Sequence, residues 1–187
     1  MRKNNRSVSL VELLISVAVV SIMILSFYSI DTFSRNQVLN SDRRAKVQNE
    51  LSYALEHMGK YVQQGVGNNL ASDNQAIQTF AGGFRVRVDF NIPQNPFSLN
   101  NKAWIRYRRA GNNLIVSCST TGSGTCGSFT GETLSSRVMT FDSTPADNGT
   151  SVYVNLVGRY TPAAAVSLRN PQVEVRTKLI CNSCSYN

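Results

Sequence analysis

A single carboxylate, Glu12, stands inside an apolar run that extends from Val8 to about Ile30 and holds no other charge. Arg2, Lys3 and Arg6 precede the run. A helix needs about 20 apolar residues to cross a bilayer, and this stretch supplies them. A carboxylate within such a helix costs roughly 2.5–3.5 kcal/mol on insertion scales, so it is expected to have a partner. The positive-inside rule keeps the basic leader cytoplasmic and exports the remainder. An ordinary secretory signal has an apolar core of about 7–15 residues followed by a small-x-small cleavage site. The run is longer than that, and no clear site of that kind follows it. A lipoprotein needs a cysteine just after the apolar core, and the first cysteine here is Cys118. The plain alternative is an uncut signal-anchor whose Glu12 snorkels to the headgroups.

The segment Ser7-Val8-Ser9-Leu10-Val11-Glu12-Leu13-Leu14 resembles the cleavage and methylation motif of type IV prepilins and type II secretion pseudopilins. In that family a short basic leader ends in glycine, the next residue is usually phenylalanine, and a glutamate stands fifth after the cut. Alignment on Glu12 places the cut between Ser7 and Val8. Two positions depart from the pattern: Ser7 replaces the glycine and Val8 the phenylalanine. The resemblance implies removal of residues 1–7 by a prepilin peptidase, N-methylation of Val8, and assembly with other pilin or pseudopilin subunits on an inner-membrane platform. The physical chemistry of the residues supports such a scheme. A free Val8 amine has an ordinary pKa of about 7.7–8.0, and Glu12 lies one helical turn away. In an assembling bundle Glu12 neutralises the amine of a neighbouring chain. Either group left alone in lipid is expensive, so the pair favours assembly and sets axial register.

Helical patterning continues past the apolar run. Leu51, Ala54, Leu55, Met58 and Tyr61 or Val62 recur at three- and four-residue intervals, with Ala45 and Gln48 leading into the same face. Gly65 and Gly67 are stop signals. The pattern predicts one helix from Val8 to about Gln64, roughly 85 Å long at 1.5 Å per residue. Gly59, its interior glycine, is expected to mark a bend or a close contact. His57, the single histidine, lies off the apolar face and is expected on a solvated surface.

Beyond Gly67 the pattern becomes strand-like. Leu70 to Gln78 reads as loop. Phe84, Val86, Val88 and Phe90 alternate with Arg85, Arg87 and Asp89. Residues 103–109 and 114–118 flank Gly111-Asn112-Asn113 as a hairpin, and further strands are expected at 137–141, 151–157 and 172–180. The fold class is therefore α+β: a long helix packed on an antiparallel sheet head of five to seven strands. The expected organisation is a leader over 1–7, a membrane or filament-core helix over 8–30, an amphipathic helix over 31–65 and a head over 66–187.

The chain carries +8 in 187 residues, and removal of the leader leaves +5 on residues 8–187. Residues 8–65 hold five cations and five anions, so the excess lies in the head. Arg85, Arg87, Arg106 and Arg108 occupy alternating strand positions and predict a positive stripe if their strands pair. A basic exported surface can meet acidic polysaccharide, anionic lipid or DNA. No nucleic-acid-reading motif is visible, so nucleic acid is not an expected partner.

Cys118, Cys126, Cys181 and Cys184 allow three disulfide pairings. The most economical joins Cys118 to Cys126 and Cys181 to Cys184, in keeping with an oxidising compartment. A four-cysteine zinc site and a thioredoxin-type redox motif are the rivals. The first pair is loosely spaced for a zinc knuckle, and Cys181 follows a strand near the chain end rather than opening a helix. Asp142 to Gly149 is an oxygen-rich loop. Some pseudopilins bind calcium, but the spacing fits no EF-hand, and a plain turn is the expectation. Asn148-Gly149-Thr150 matches a glycosylation sequon. No enzyme constellation, cofactor motif or phosphate-binding loop appears. The helix sequence 48–58 and the strand-rich head are similar to PilW-type minor pilins and to J pseudopilins. That similarity implies a subunit acting near a filament tip or in initiation; a filament-displayed adhesin or DNA-binding head is the alternative.

Overall fold

The computed structural model describes residues 9–67, 75–90, 103–120, 126, 131–182 and 184. Among the described residues one α-helix, α1 (Leu10–Gln63), is followed by eight strands, with a 3-10 turn at Asp147–Gly149. A five-stranded antiparallel sheet has the order β1 (Ile77–Phe80), β2 (Gly83–Val88), β3 (Ala103–Ala110), β4 (Asn113–Thr120), β5 (Glu132–Ser135). A three-stranded antiparallel sheet follows: β6 (Val138–Ala146), β7 (Ser151–Arg159), β8 (Gln172–Ile180).

Fifty-four residues make α1 about 81 Å long. Its two halves differ in what surrounds them. Every residue from Leu10 to Arg35 is exposed. In the second half Val47, Leu51, Ala54, Met58 and Val62 are buried, at spacings of four, three, four and four. This stripe is the helical contribution to the core. The expected face was correct from Leu51 onward but misplaced upstream. Ala45 and Gln48 are exposed, and Val47 carries the first contact. Gly59 produces no break in α1, and a Cβ there would meet Leu179 at an ordinary 3.9 Å. The expected bend or close contact is absent.

The close approach occurs at Gly158 on β7 instead. A Cβ at this position would lie 3.0 Å from Val47 and 3.1 Å from Leu51. The missing side chain lets the helix settle directly on the second sheet.

Two sheets rather than one form the head. Their inner faces meet α1 in a shared core that includes Phe84, Val86, Ile105, Tyr107, Leu114 and Val116 from the first sheet and Phe141, Val152, Val154 and Leu156 from the second. Hydrogen bonds bind the sheets at their junction: Val138 N–H to Asn112 O at 3.0 Å, Ser143 Oγ to Gly83 O at 2.8 Å, and the Arg109 guanidinium to Met139 O at 2.6 Å. Two short strands, β1 and β5, were not anticipated. Ile77 and Gln78 belong to β1 rather than to a loop. The expected 137–141 strand extends to Ala146, with Pro145 paired to Val152 at its end. Phe90 lies beyond the end of β2 and packs edge-on to Tyr61 at 6.4 Å.

Candidate functional site

Helix α1 starts at Leu10, with extended Ser9 before it and Leu13 N–H donating to Ser9 O at 3.1 Å. Glu12 is exposed in the first turn, where the positive end of the helix dipole favours a carboxylate. Among the described residues Glu12 has no ion-pair partner. Ser7 and Val8, the expected processing site and the expected methylated amine, lie outside the described residues.

Four hydroxyls in and just beyond the apolar half bond back within the helix. Ser16 donates to Glu12 O, Ser21 to Val17 O, Ser26 to Ile22 O and Thr32 to Tyr28 O, at 2.8–2.9 Å. Each donates to the carbonyl four residues earlier, so none of the four is left as an orphaned donor. This half is long and apolar enough to cross a membrane, and none of its most apolar window is covered by the protein itself. Glu12 is the one ionisable carboxylate of this apolar stretch, which carries no other charge up to Ile30.

The head fastens to α1 through polar as well as apolar contacts. Arg137, just before β6, pairs with Glu50 on the helix and donates to Tyr160 O at 3.1 Å. Ser135 donates to the other Glu50 oxygen at 3.2 Å. The Arg43 and Arg137 guanidiniums each lie 5.0 Å from the Tyr160 ring centroid. This Glu50–Arg137 junction was not foreseen, because nothing in sequence spacing relates residues that far apart.

His57 also departs from expectation. It is half-buried, with Nδ1 at 3.1 Å from the hydroxyl of buried Tyr107 and its ring 5.0 Å from that of Tyr61. Burial lowers its pKa; Glu132 opposes this and Lys60 reinforces it. Burial likewise pushes the Tyr107 phenol far above its usual range. The residue faces β3 because the first sheet curls over a flank of α1 that the main stripe does not cover.

Cys118 pairs with Cys126, and Cys181 with Cys184. The first bridge closes the segment leaving β4. The second is buried where α1 ends, with Cys181 Sγ 3.1 Å from Gly65 O and Cys181 N–H donating to Thr150 O at 2.9 Å. The Asp142–Gly149 segment is a strand end plus a tight turn. Asp147, Asn148 and Gly149 all have positive φ. Asp147 accepts hydrogen bonds from Lys178 and Ser151, which hold its carboxyl below the usual range.

The four arginines do share one sheet face. Arg85 stands directly opposite Arg106, Arg87 opposite Trp104, and Arg108 opposite Gly83. They are interleaved with aromatic rings. Arg85 and Arg87 lie 4.4 and 4.6 Å from the Trp104 centroid, and Arg106 lies 4.3 Å from that of Phe80. Gln78 accepts two hydrogen bonds from Arg85, at 3.0 and 2.6 Å. Trp104 was legible as a member of this face from strand alternation; Phe80 was not, since its strand was unforeseen.

Comparison with known proteins bears on the N-terminus alone. No curated protein and no solved structure matches the chain. Residues 2–28 match a family model, the prokaryotic N-terminal methylation motif. The matched stretch covers the basic leader, Glu12 and most of the exposed apolar half of α1. The N-terminus of this chain thus carries a type IV prepilin-like signal.

Proposed function

We propose that the chain is a minor pilin-like structural subunit, held in the inner membrane by α1 and passed from there into a filament. The observation that carries this reading is the combination at one end of α1. A prepilin-type signal covers residues 2–28, and the helix is exposed on every side from Leu10 to Arg35. A prepilin peptidase cuts between Ser7 and Val8 and the new amine is methylated. In the membrane the apolar half is solvated by lipid. In the filament it is covered by the same half of neighbouring subunits, with Glu12 facing a neighbour's Val8 amine. The role is structural and needs no catalytic group and no cofactor. The head, with its basic sheet face, is the exported part. Action at the tip or in initiation, of a type IV pilus or a secretion pseudopilus, completes the proposal.

Glu12→Ala tests it. The variant is expected to insert in the membrane at normal levels and to be depleted from sheared filaments, or to reduce filament number. Normal incorporation and normal filament number would overturn the role assigned to Glu12.

A second reading is favoured by one observation: the Arg85–Arg106 pair. Like charges directly opposite on neighbouring strands repel, and here they are held over aromatic rings. Such a face can bind a polyanion, as an adhesin or a DNA-binding subunit would. It predicts filament or head binding that weakens steeply with salt and is lost in Arg85→Ala/Arg106→Ala. Salt-insensitive binding, or none, leaves this face as solvated surface.

A further inference from the structure

The connection between β7 and β8 is a built loop that runs along α1 toward its apolar half. Asn170 is buried at its centre and staples it. Its side-chain oxygen accepts from Thr161 N–H at 2.7 Å, and its amide donates to Thr161 O, Ala164 O and Ala165 O at 2.9–3.1 Å. Ser167 and Asn170 exchange backbone hydrogen bonds, and Arg159 donates to Ala164 O at 2.8 Å. Arg43 donates to Arg169 O, and the Arg169 guanidinium reaches Asn36 at 3.5 Å. The core contacts of α1 begin at Val47, whereas Leu168 of this loop lines a shallow cleft with Phe33, Asn36, Gln37 and Asn40.

This ordered loop spends its apolar side chains on solvent. Leu168 is 77% exposed, Phe33 66% and Val166 57%. They extend the apolar surface of α1 sideways, off the helix and onto the head. Phe33 to Asn40 lie about 5–15 Å past Ile30 along the axis at 1.5 Å per residue. The headgroup layer extends roughly 5–8 Å beyond the hydrocarbon on each side, and tilting of a helix brings its flanks closer. Cations stand beside the apolar tip: Arg169 is exposed, and Arg43 and Arg44 follow on the helix. Apolar tips flanked by arginine are the composition of an interfacial anchor, with the apolar groups below the headgroups and the guanidiniums among the phosphates.

We propose that the 160–171 loop is a membrane foot: Val166 and Leu168 insert at the exported lipid surface beside α1, with the exposed Arg169 at the headgroup phosphates and Arg43 holding the loop to the helix through Arg169 O. The foot fixes the tilt and rotation of the head over the bilayer before the subunit leaves it. This inference rests on the reading of α1 as a membrane helix, and the test separates the two.

The full chain is placed in vesicles of phosphatidylethanolamine and phosphatidylglycerol, with one environment-sensitive fluorophore on Leu168→Cys or Val20→Cys. The native cysteines are all in disulfides among the described residues, so the added thiol is the one labelled. The Leu168 probe is expected to shift its emission to the blue and to be quenched by lipids carrying a nitroxide near the headgroup, with little quenching by aqueous iodide. The Val20 probe is expected to be quenched by deep nitroxides. Deep quenching at Val20 with a water-exposed Leu168 probe would overturn the foot alone. Failure at Val20 would overturn both. Shielding of the Leu168 probe only after the chain is co-assembled with further copies would assign the loop to a subunit contact and overturn the lipid assignment. Val166→Ser/Leu168→Ser is a second check: a probe on the neighbouring Ala164→Cys should become more accessible to iodide in that background, and no change would contradict the foot.

Discussion

The Nδ1 atom of His57 lies 3.1 Å from the hydroxyl of Tyr107, joining the flank of α1 to the middle of β3. Tyr107 is fully buried, and its hydroxyl also reaches His57 O at 3.3 Å. The arrangement favours neutral histidine, because burial lowers the His57 pKa from its ordinary value near 6.5. The unfolded chain therefore binds a proton more readily than the folded one. Stability from this source is complete above about pH 6.5 and falls as pH drops through the depressed folded value. The melting temperature of a soluble fragment should decline as pH falls below about 6.5. His57→Gln should flatten that slope, and equal slopes in the two proteins would count against the account.

Tyr107→Phe removes the hydroxyl and leaves the ring. A cost of about 1–3 kcal/mol is expected, typical of a half-buried polar group that loses its partner. Denaturant unfolding of the same fragment measures it.

The tight seat of α1 on β7 should be sensitive to one atom. Gly158→Ala puts a Cβ within 3.0–3.2 Å of Val47 and Leu51. The neighbours are side chains and yield a little, so a loss of about 1–3 kcal/mol is expected, and more for Gly158→Val. Gly59→Ala is the control. Its Cβ meets Leu179 at 3.9 Å, and alanine is the better helix former by about 1 kcal/mol. The first change should lower the melting temperature and the second should raise it.

Loop-closure entropy and burial rank the two disulfides differently. Entropy alone assigns about 2.5 kcal/mol to Cys118–Cys126 and about 2 kcal/mol to Cys181–Cys184. The second bridge, however, is buried against Gly65 at the end of α1. Its loss also opens the packing of the chain end on the helix. Cys181→Ser/Cys184→Ser is therefore expected to destabilise more than Cys118→Ser/Cys126→Ser. The reverse order in paired melts would show that chain entropy dominates.

The soluble unit should begin well before the first strand. Val47, Leu51, Met58 and Val62 are fully buried, worth about 1.5–3 kcal/mol each. Their sum rivals the whole stability of a typical domain. A fragment from Arg35 should unfold cooperatively, and one from Val66 should show no cooperative transition. Near-UV circular dichroism during heating distinguishes them.

Much of this was legible because it is periodic. The Leu51–Val62 stripe and the alternation of Phe84, Val86 and Val88 repeat at the period of the element they form, and the apolar run around Glu12 is legible from its length alone. β8 was legible over its full length from Gln172 to Ile180. The misses lie where period gives no information. β1 and β5 have four residues each, too short for alternation to register. The division into two sheets depends on which strands hydrogen-bond: β5 pairs with β4, whereas β6 pairs with β7. His57 was misread because a helical wheel identifies the main stripe but not a second layer curling over its flank. The Glu50–Arg137 pair is a consequence of tertiary placement alone.

The most direct test of the central claim is the intact mass and N-terminal sequence of the protein taken from its native membrane or filament. The account predicts a chain that begins at Val8 and is heavier than the unmodified sequence by one methyl group. A chain that retains Met1 to Ser7 would contradict it, leaving an uncut single-pass anchor with a basic exported head.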